Sequence, residues 1–228
     1  MKFNFYQKLS APVVLSVLVV PISMLAEDSD LAPIKLKLPK PAFVGTPKNI
    51  PAGTTVEKPT GKPRPPFAAP KGATNVAREK KVTSSDNDPI IGEPELVTDD
   101  DKEATEGSWL ELGPGTQYVQ VDLEKETSIY AIVFWHYHGD PRVYRDVVVQ
   151  TANDKDFILD VKTLFNNDHD NSSGLGIGQD SEYFEVAEGK LIDCKGTKAR
   201  FVRIFSKGST ADDMNHFTEV AVYGIQAN

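Results

Sequence analysis

Ten prolines fall between Pro33 and Pro70, and that run divides the chain before anything else can be read from it. Each proline lacks the amide donor that helices and inner strands need, and it pushes its predecessor into extended geometry. With Gly45, Gly53 and Gly61 among them, residues 27–72 read as an extended Pro/Lys-rich linker, unable to make a core of its own. The run is also basic. Residues 35–81 hold eleven lysines and arginines against Glu57 and Glu79, a net of +9. Residues 82–228 hold 12 bases and 28 acids, a net of −16, and the whole chain comes to −8. An acidic domain lacks the basic footprint that phosphate binding requires, so no nucleic acid is expected as partner. The linker keeps two roles open: a spacer, or a tether to an anionic surface polymer or an acidic partner in the cell envelope.

Ahead of the linker, Lys2 and Lys8 precede an uncharged, mostly apolar run from Ala11 to Leu25. That run has the length of a secretory signal core, is short for a spanning helix, and carries Pro12 and Pro21. Residues 1–26 therefore read as a signal peptide cut after Ala26. An uncleaved anchor is the alternative, because Met24 is larger than the small residue wanted three positions before the cut. The mature chain is then expected to be exported, periplasmic or extracellular, with no integral membrane span once the signal is cleaved. The single cysteine, Cys194, excludes an intrachain disulfide framework and any CxxC zinc site.

Beyond residue 72 the pattern changes to short strands. Val119, Val121 and Leu123 alternate with Tyr118, Gln120 and Asp122, as on a half-buried strand. Ser128–His138 is apolar on both faces and reads as a central strand buried on both sides. Val143–Thr151, Tyr183–Ala187, Ala199–Ser206 and Glu219–Ile225 complete a set of at least six. Turn residues separate them, at Gly113-Pro114-Gly115, Gly139-Asp140-Pro141, Asn153-Asp154 and the glycine-rich Gly174–Gly178. Short strands, frequent turns and no sustained helical period point to an all-β antiparallel sandwich over residues 73–228.

The order of these segments resembles the discoidin family, also called coagulation-factor type C domains, with a galactose-binding-like fold. The residues that carry the resemblance are Asn75–Arg78 with Val82–Ser85, then Leu96–Asp101, Val119–Leu123 and Ala199–Ile204. The chain closes with Thr218-Glu219-Val220-Ala221-Val222-Tyr223-Gly224. The resemblance covers about residues 73–226. It implies a jelly-roll β-sandwich of about eight strands with the N- and C-terminal strands adjacent. It also implies a non-catalytic binding module, many of whose relatives hold carbohydrate through loops at one end. It further implies one structural Ca2+, held by side chains of Asp99, Asp101 and Glu219, carbonyls of Leu96 and Thr218, and Ser108. Asp100 stands where the family often has glycine.

Three polar loops are the candidate ligand site: residues 136–145, 166–173 and 208–216. The first offers His136, His138, Asp140, Arg142 and Tyr144, the second Asn166, Asn167 and His169, the third Asp213, Asn215 and His216. Fixed amides, carboxylates, imidazoles and a guanidinium are what hydroxyl-rich ligands require, usually beside an aromatic platform. For His136 and His138, which share a strand face, three roles stay open: ligand contact, satisfied structural histidine, or metal ligation with His169 or His216. Enzymatic motifs are missing: no Gly-x-Ser-x-Gly elbow, no phosphate-binding loop, and a lone thiol with no designated base. The expectation is a module that binds a carbohydrate or cell-surface polymer. The alternative is a protein-interaction or adhesion module of an envelope complex, docked through the basic linker.

Overall fold

The protein is described here from a computed structural model, which describes Met1 and residues 30–43, 55–58 and 60–226. The expected signal peptide, Met1 apart, lies outside the described residues, as do the linker residues 44–54 and 59.

Ten strands are formed among the described residues: β1 (Leu31–Pro33), β2 (Ala68–Pro70), β3 (Thr74–Asn75), β4 (Val82–Ser84), β5 (Leu110–Leu112), β6 (Gln117–His136), β7 (Val148–Ala152), β8 (Lys162–Asn166), β9 (Lys190–Ser206) and β10 (Asn215–Gln226). All pairings are antiparallel. The long strands β6 and β9 create the two layers. The first half of β6 pairs with β4 and with the second half of β9, which continues to β7 and β8. The second half of β6 pairs with β10 and with the first half of β9, while β10 also holds β3 and β5. Between the halves the ladder breaks at Asp122/Thr127. There Glu124 takes a left-handed φ of 69° and its amide donates to Asp122 Oδ1 at 2.7 Å. Such corners, where one strand serves both layers, let a sandwich close without a long connection. The result is the all-β antiparallel sandwich expected from the sequence. Asn75 of β3 lies opposite Tyr223 of β10, so the ends of the domain are adjacent.

The main core lies between the layers. Val119, Val121 and Leu123 from one half of β6 meet Ile129, Ile132 and Phe134 from the other, with Leu110, Val149, Val202, Ile204, Phe217 and Val222. Ala131, Val133 and Trp135 point the opposite way and join Ala221 and Tyr223 in a second cluster on the outer face. Part of the linker covers that outer cluster. Ile34, Leu36 and Phe67 pack onto it, so the segment that reads as unable to make a core of its own adds side chains to this one. The described parts of the segment are strapped down. β1 pairs with β2, Ile34 N donates to Phe67 O at 2.9 Å, and Tyr223 Oη donates to Lys35 O at 3.1 Å. The Arg64 guanidinium reaches the carbonyls of Gly189 and Glu188, both at 2.7 Å. Gly189 (φ 64°) must be glycine for this approach, since a Cβ there would come within 2.5 Å of the Trp135 ring. The strap works because Ile34 and Leu36 alternate with Lys35 and Lys37, a period of two that puts both lysines in solvent. Pro33 and Pro70 close β1 and β2, at strand ends, where a missing amide costs little of the ladder.

Two strand expectations are corrected. The ladder expected over Val143–Thr151 begins only at Val148, with Tyr144 making a lone bridge to Ser209. Tyr183–Ala187 is extended but joins no ladder, because its neighbours are the 136–145 loop and the strap; Glu185 N donates to Arg142 O at 2.9 Å.

Candidate functional site

The three polar loops converge on a cleft of about 400 Å³. Arg145 and Asp146 line it from the approach to β7, Asp170 and Ser172 from the β8–β9 connection, and Lys207 and Asp213 from the β9–β10 connection. Pro114 and Gly115 close it from the turn before β6. Of the eleven residues expected to touch ligand, only Asp213 is among these lining groups.

The others lie mostly one layer deeper, and they hold the loops in place. Asn215 is fully buried; its Oδ1 accepts from Ser206 Oγ at 2.8 Å and Gly208 N at 2.9 Å. Its Nδ2 donates to Gly113 O at 2.8 Å and Gly115 O at 3.1 Å, so one side chain staples two walls of the cleft. Asn167 Oδ1 accepts from Val147 N at 2.7 Å. Asn166 donates to Gly176 O at 2.9 Å and accepts from Asp168 N at 2.8 Å. Gly178 packs so close to Asn166 that a Cβ would come within 2.1 Å of the Asn166 carbonyl oxygen. His169 is exposed, but its Nε2 is engaged with Asp180 O at 2.9 Å.

His136, His138, Tyr144 and His216 are buried as well. His136 Nδ1 lies 2.7 Å from Glu185 Oε1, and its ring stacks on Tyr144 with centroids 4.2 Å apart. His138 Nε2 donates to Lys102 O at 2.8 Å. Tyr144 Oη hydrogen-bonds His216 Nδ1 at 3.0 Å, and His216 Nε2 lies 3.3 Å from Glu111. Burial holds the His216 pKa below its usual value, partly offset by Glu111 and Asp212. Arg142 grips Asp140 with two bonds of 2.7 and 2.8 Å, and this pairing holds the Asp140 carboxyl below the usual range. The zinc role for the histidines is not supported. Each faces a different partner, and among the described residues no histidine belongs to a group of three potential metal ligands. Trp135 is core, and no aromatic side chain lines the cleft.

Arg145, Asp146, Asp170 and Lys207 of the lining were missed in the sequence for one reason: they are charged, like much of the surface, and nothing local marks them. Ser172 Oγ donates to Asp146 Oδ2 at 2.5 Å, and Lys207 Nζ donates to Ser172 O at 2.9 Å. Asp168 is buried below them and accepts from the amides of Ser172 and Ser173 at 3.0 and 2.9 Å. Burial, with the charges of Asp168 and Asp170, raises the Asp146 pKa, while Ser172 and Lys207 pull it back. Asp146, Asp168 and Asp170 each bring one carboxylate oxygen into a mutually close group, in which Asp168 and one oxygen each of Asp146 and Asp170 also accept from Ser172 or Ser173. Cys194 is buried, its thiol pushed up to about 12, which leaves it unreactive.

The acidic turn at 99–101 was expected to hold calcium, and the residues present do not fit that ion. Asp101 Oδ1 accepts from Glu103 N at 3.0 Å and its Oδ2 from Ser108 Oγ at 2.9 Å. Asp99 Oδ1 accepts from Asp101 N at 2.8 Å, and Glu219 Oε2 from Asp100 N at 3.1 Å. Leu96 belongs to the 3-10 turn Pro94–Thr98 just before. The carboxylates of Asp99, Asp101 and Glu219 do not converge on one point. Glu219 Oε1 and Thr218 Oγ1 are buried without a partner in the protein, while Asp99 Oδ1, both Asp101 oxygens and Glu219 Oε2 accept from the turn itself. Burial pushes the Glu219 carboxyl up to about 9 against the pull of Lys102 and the Asp100 amide.

No family model matches the chain, and no curated protein matches it. Solved structures do. The CBM32 of AlyQ in complex with 4,5-unsaturated mannuronic acid is 22% identical, covering 62% of this chain and 92% of that one, with a TM-score of 0.46. A fucose-binding module of Streptococcus pneumoniae, SpX-3, is 17% identical over 66% of this chain and 97% of that one, with a TM-score of 0.47. A family 89 glycoside hydrolase from Clostridium perfringens is 17% identical with a TM-score of 0.48; the match takes 67% of this chain but only 15% of the enzyme.

Proposed function

We propose that this chain is an exported, non-catalytic module that binds a carbohydrate or hydroxyl-rich cell-surface polymer in the three-loop cleft. The observation that carries the reading is the cleft itself. Three loops distant in sequence meet around about 400 Å³, with a guanidinium, an ammonium, three carboxylates and a serine hydroxyl at its walls. The loops are fixed before any ligand arrives, because Asn166, Asn167, Asp168 and Asn215 bond them to one another from below. Preorganised donors and acceptors lower the ordering cost of binding, which suits a ligand recognised by many modest hydrogen bonds.

Three acids facing two bases make the lining slightly acidic, so a neutral sugar is favoured over a polyanion. With no aromatic wall, discrimination rests on hydrogen bonds rather than stacking. Export rests on the charged and apolar pattern of residues 1–26, and no helix among the described residues is long and apolar enough to cross a membrane.

A panel of neutral, amino and acidic polysaccharides, screened by array and then by calorimetry, tests the reading. Binding to a neutral glycan is expected. Arg145→Ala or Asp213→Ala should each weaken it about 10–100-fold, the loss of one hydrogen bond to a charged group. Failure to bind any polysaccharide, or binding unaffected by both substitutions, sinks the proposal.

A further inference from the structure

Lys102 is a lysine with only 5% of its surface exposed, at the turn where the resemblance implies a calcium ion. Lysine is almost never buried unless paired, because its ammonium is strongly hydrated. Here the Nζ donates to Asp100 O at 3.1 Å and to Asp100 Oδ1, and it lies 5.6 Å from the centre of the Trp135 ring. Its charge also acts on the carboxyls of Asp99 and Glu219. The backbone that aims it is fixed from outside the turn by His138, through the bond to Lys102 O. Asp100 takes a left-handed φ of 72°, and its amide donates to Glu219 on β10. The ammonium therefore sits among the groups that join the acidic turn to the closing strand.

We propose that Lys102 is the built-in cation of this junction, standing in for a metal ion, and that the folded domain is calcium-independent. A calcium ion needs six to eight oxygens at 2.3–2.6 Å, and a fixed ammonium beside them repels it. Asp101 is consistent with this, since both its oxygens already accept, from Glu103 N and Ser108 Oγ. Asp100, where glycine is frequent in the resembling family, supplies the carboxylate that a buried lysine requires. The pair Asp100–Lys102 thus replaces a divalent ion by a covalently attached monovalent one. The proposal is independent of what the loop cleft binds.

Two measurements on the full chain test it. Thermal unfolding with millimolar CaCl2 or with EGTA should give the same Tm within about 1 °C, because a ligand stabilises only if the folded state binds it. Calorimetric titration with CaCl2 should show no saturable heat. Lys102→Met, which keeps the stem and removes the charge, should lower the Tm by about 5 °C or more. A wild-type Tm that rises with CaCl2 or falls with EGTA overturns the proposal. So does a Lys102→Met variant as stable as the wild type, which would show that the ammonium holds nothing together.

Discussion

The two halves of β6 belong to one strand yet carry opposite surface chemistry. From Gln117 to Leu123 the outward side chains Tyr118, Gln120 and Asp122 are polar at their tips and partly in solvent, while Val119, Val121 and Leu123 are in the core. From Ile129 to Trp135 both faces are apolar, and both are buried. The difference is not in the sandwich, which lends β6 neighbours on both sides throughout. It is in what lies outside. The first half faces water; the second faces Ile34, Leu36 and Phe67 of the strap. A strand that is apolar on both faces demands a cover, and this chain supplies it from a segment whose prolines suggest none.

Substitutions that put the same charge on each half should separate them most. Ala131→Asp places a carboxylate under the strap and should cost about 3–5 kcal/mol, enough to unfold a marginal domain, as read by denaturant titration. Gln120→Asp, on the open half beside Arg203, should change stability by less than about 0.5 kcal/mol. Equal effects would mean that the strap does not seal the outer face. A smaller loss is expected when the strap alone is spoiled. Ile34→Asp combined with Leu36→Asp removes two half-buried side chains, worth about 3 kcal/mol together, and should lower the Tm by roughly 6–12 °C.

A small effect also belongs to the ion pair on the open half. Arg200 grips Asp122 through bonds of 2.7 and 2.8 Å and holds its pKa below the ordinary value. A depressed carboxyl contributes stability that is present above its unfolded pKa of about 3.9 and lost as pH falls through the folded one. Since the pair is partly solvated, the contribution is about 1 kcal/mol at most. Asp122→Asn should flatten the acid limb of stability against pH and leave the alkaline limb unchanged. An unaltered acid limb would assign that limb to other groups, of which Asp140, paired with Arg142, is the next to test.

Much of the fold was legible because hydrophobic burial writes itself into spacing. Val119, Val121 and Leu123 announced one strand, and Glu219–Gly224 announced the closing strand that lies beside β3. The candidate site was legible only as a set of loops. His136, Asn167, Tyr144 and Asn215 are polar residues in polar loops, and nothing in their order distinguishes a side chain that meets ligand from one that holds the loop. Arg145 and Lys207 gave no signal, because an exposed charge is the commonest kind of surface residue. Lys102 follows three acids in the sequence, and it is a buried cation only because Trp135, His138 and Glu219 are brought around it.

The proline run shows where the division falls. By itself the sequence pointed to extended backbone in the proline-rich segment, because proline geometry is local and owes nothing to distant residues. It also determined that Ser128–His138 needs apolar company on both sides. That the first supplies the company for the second was decided only by tertiary structure. Burial is a property of two surfaces in contact, and those surfaces lie about a hundred residues apart in the chain.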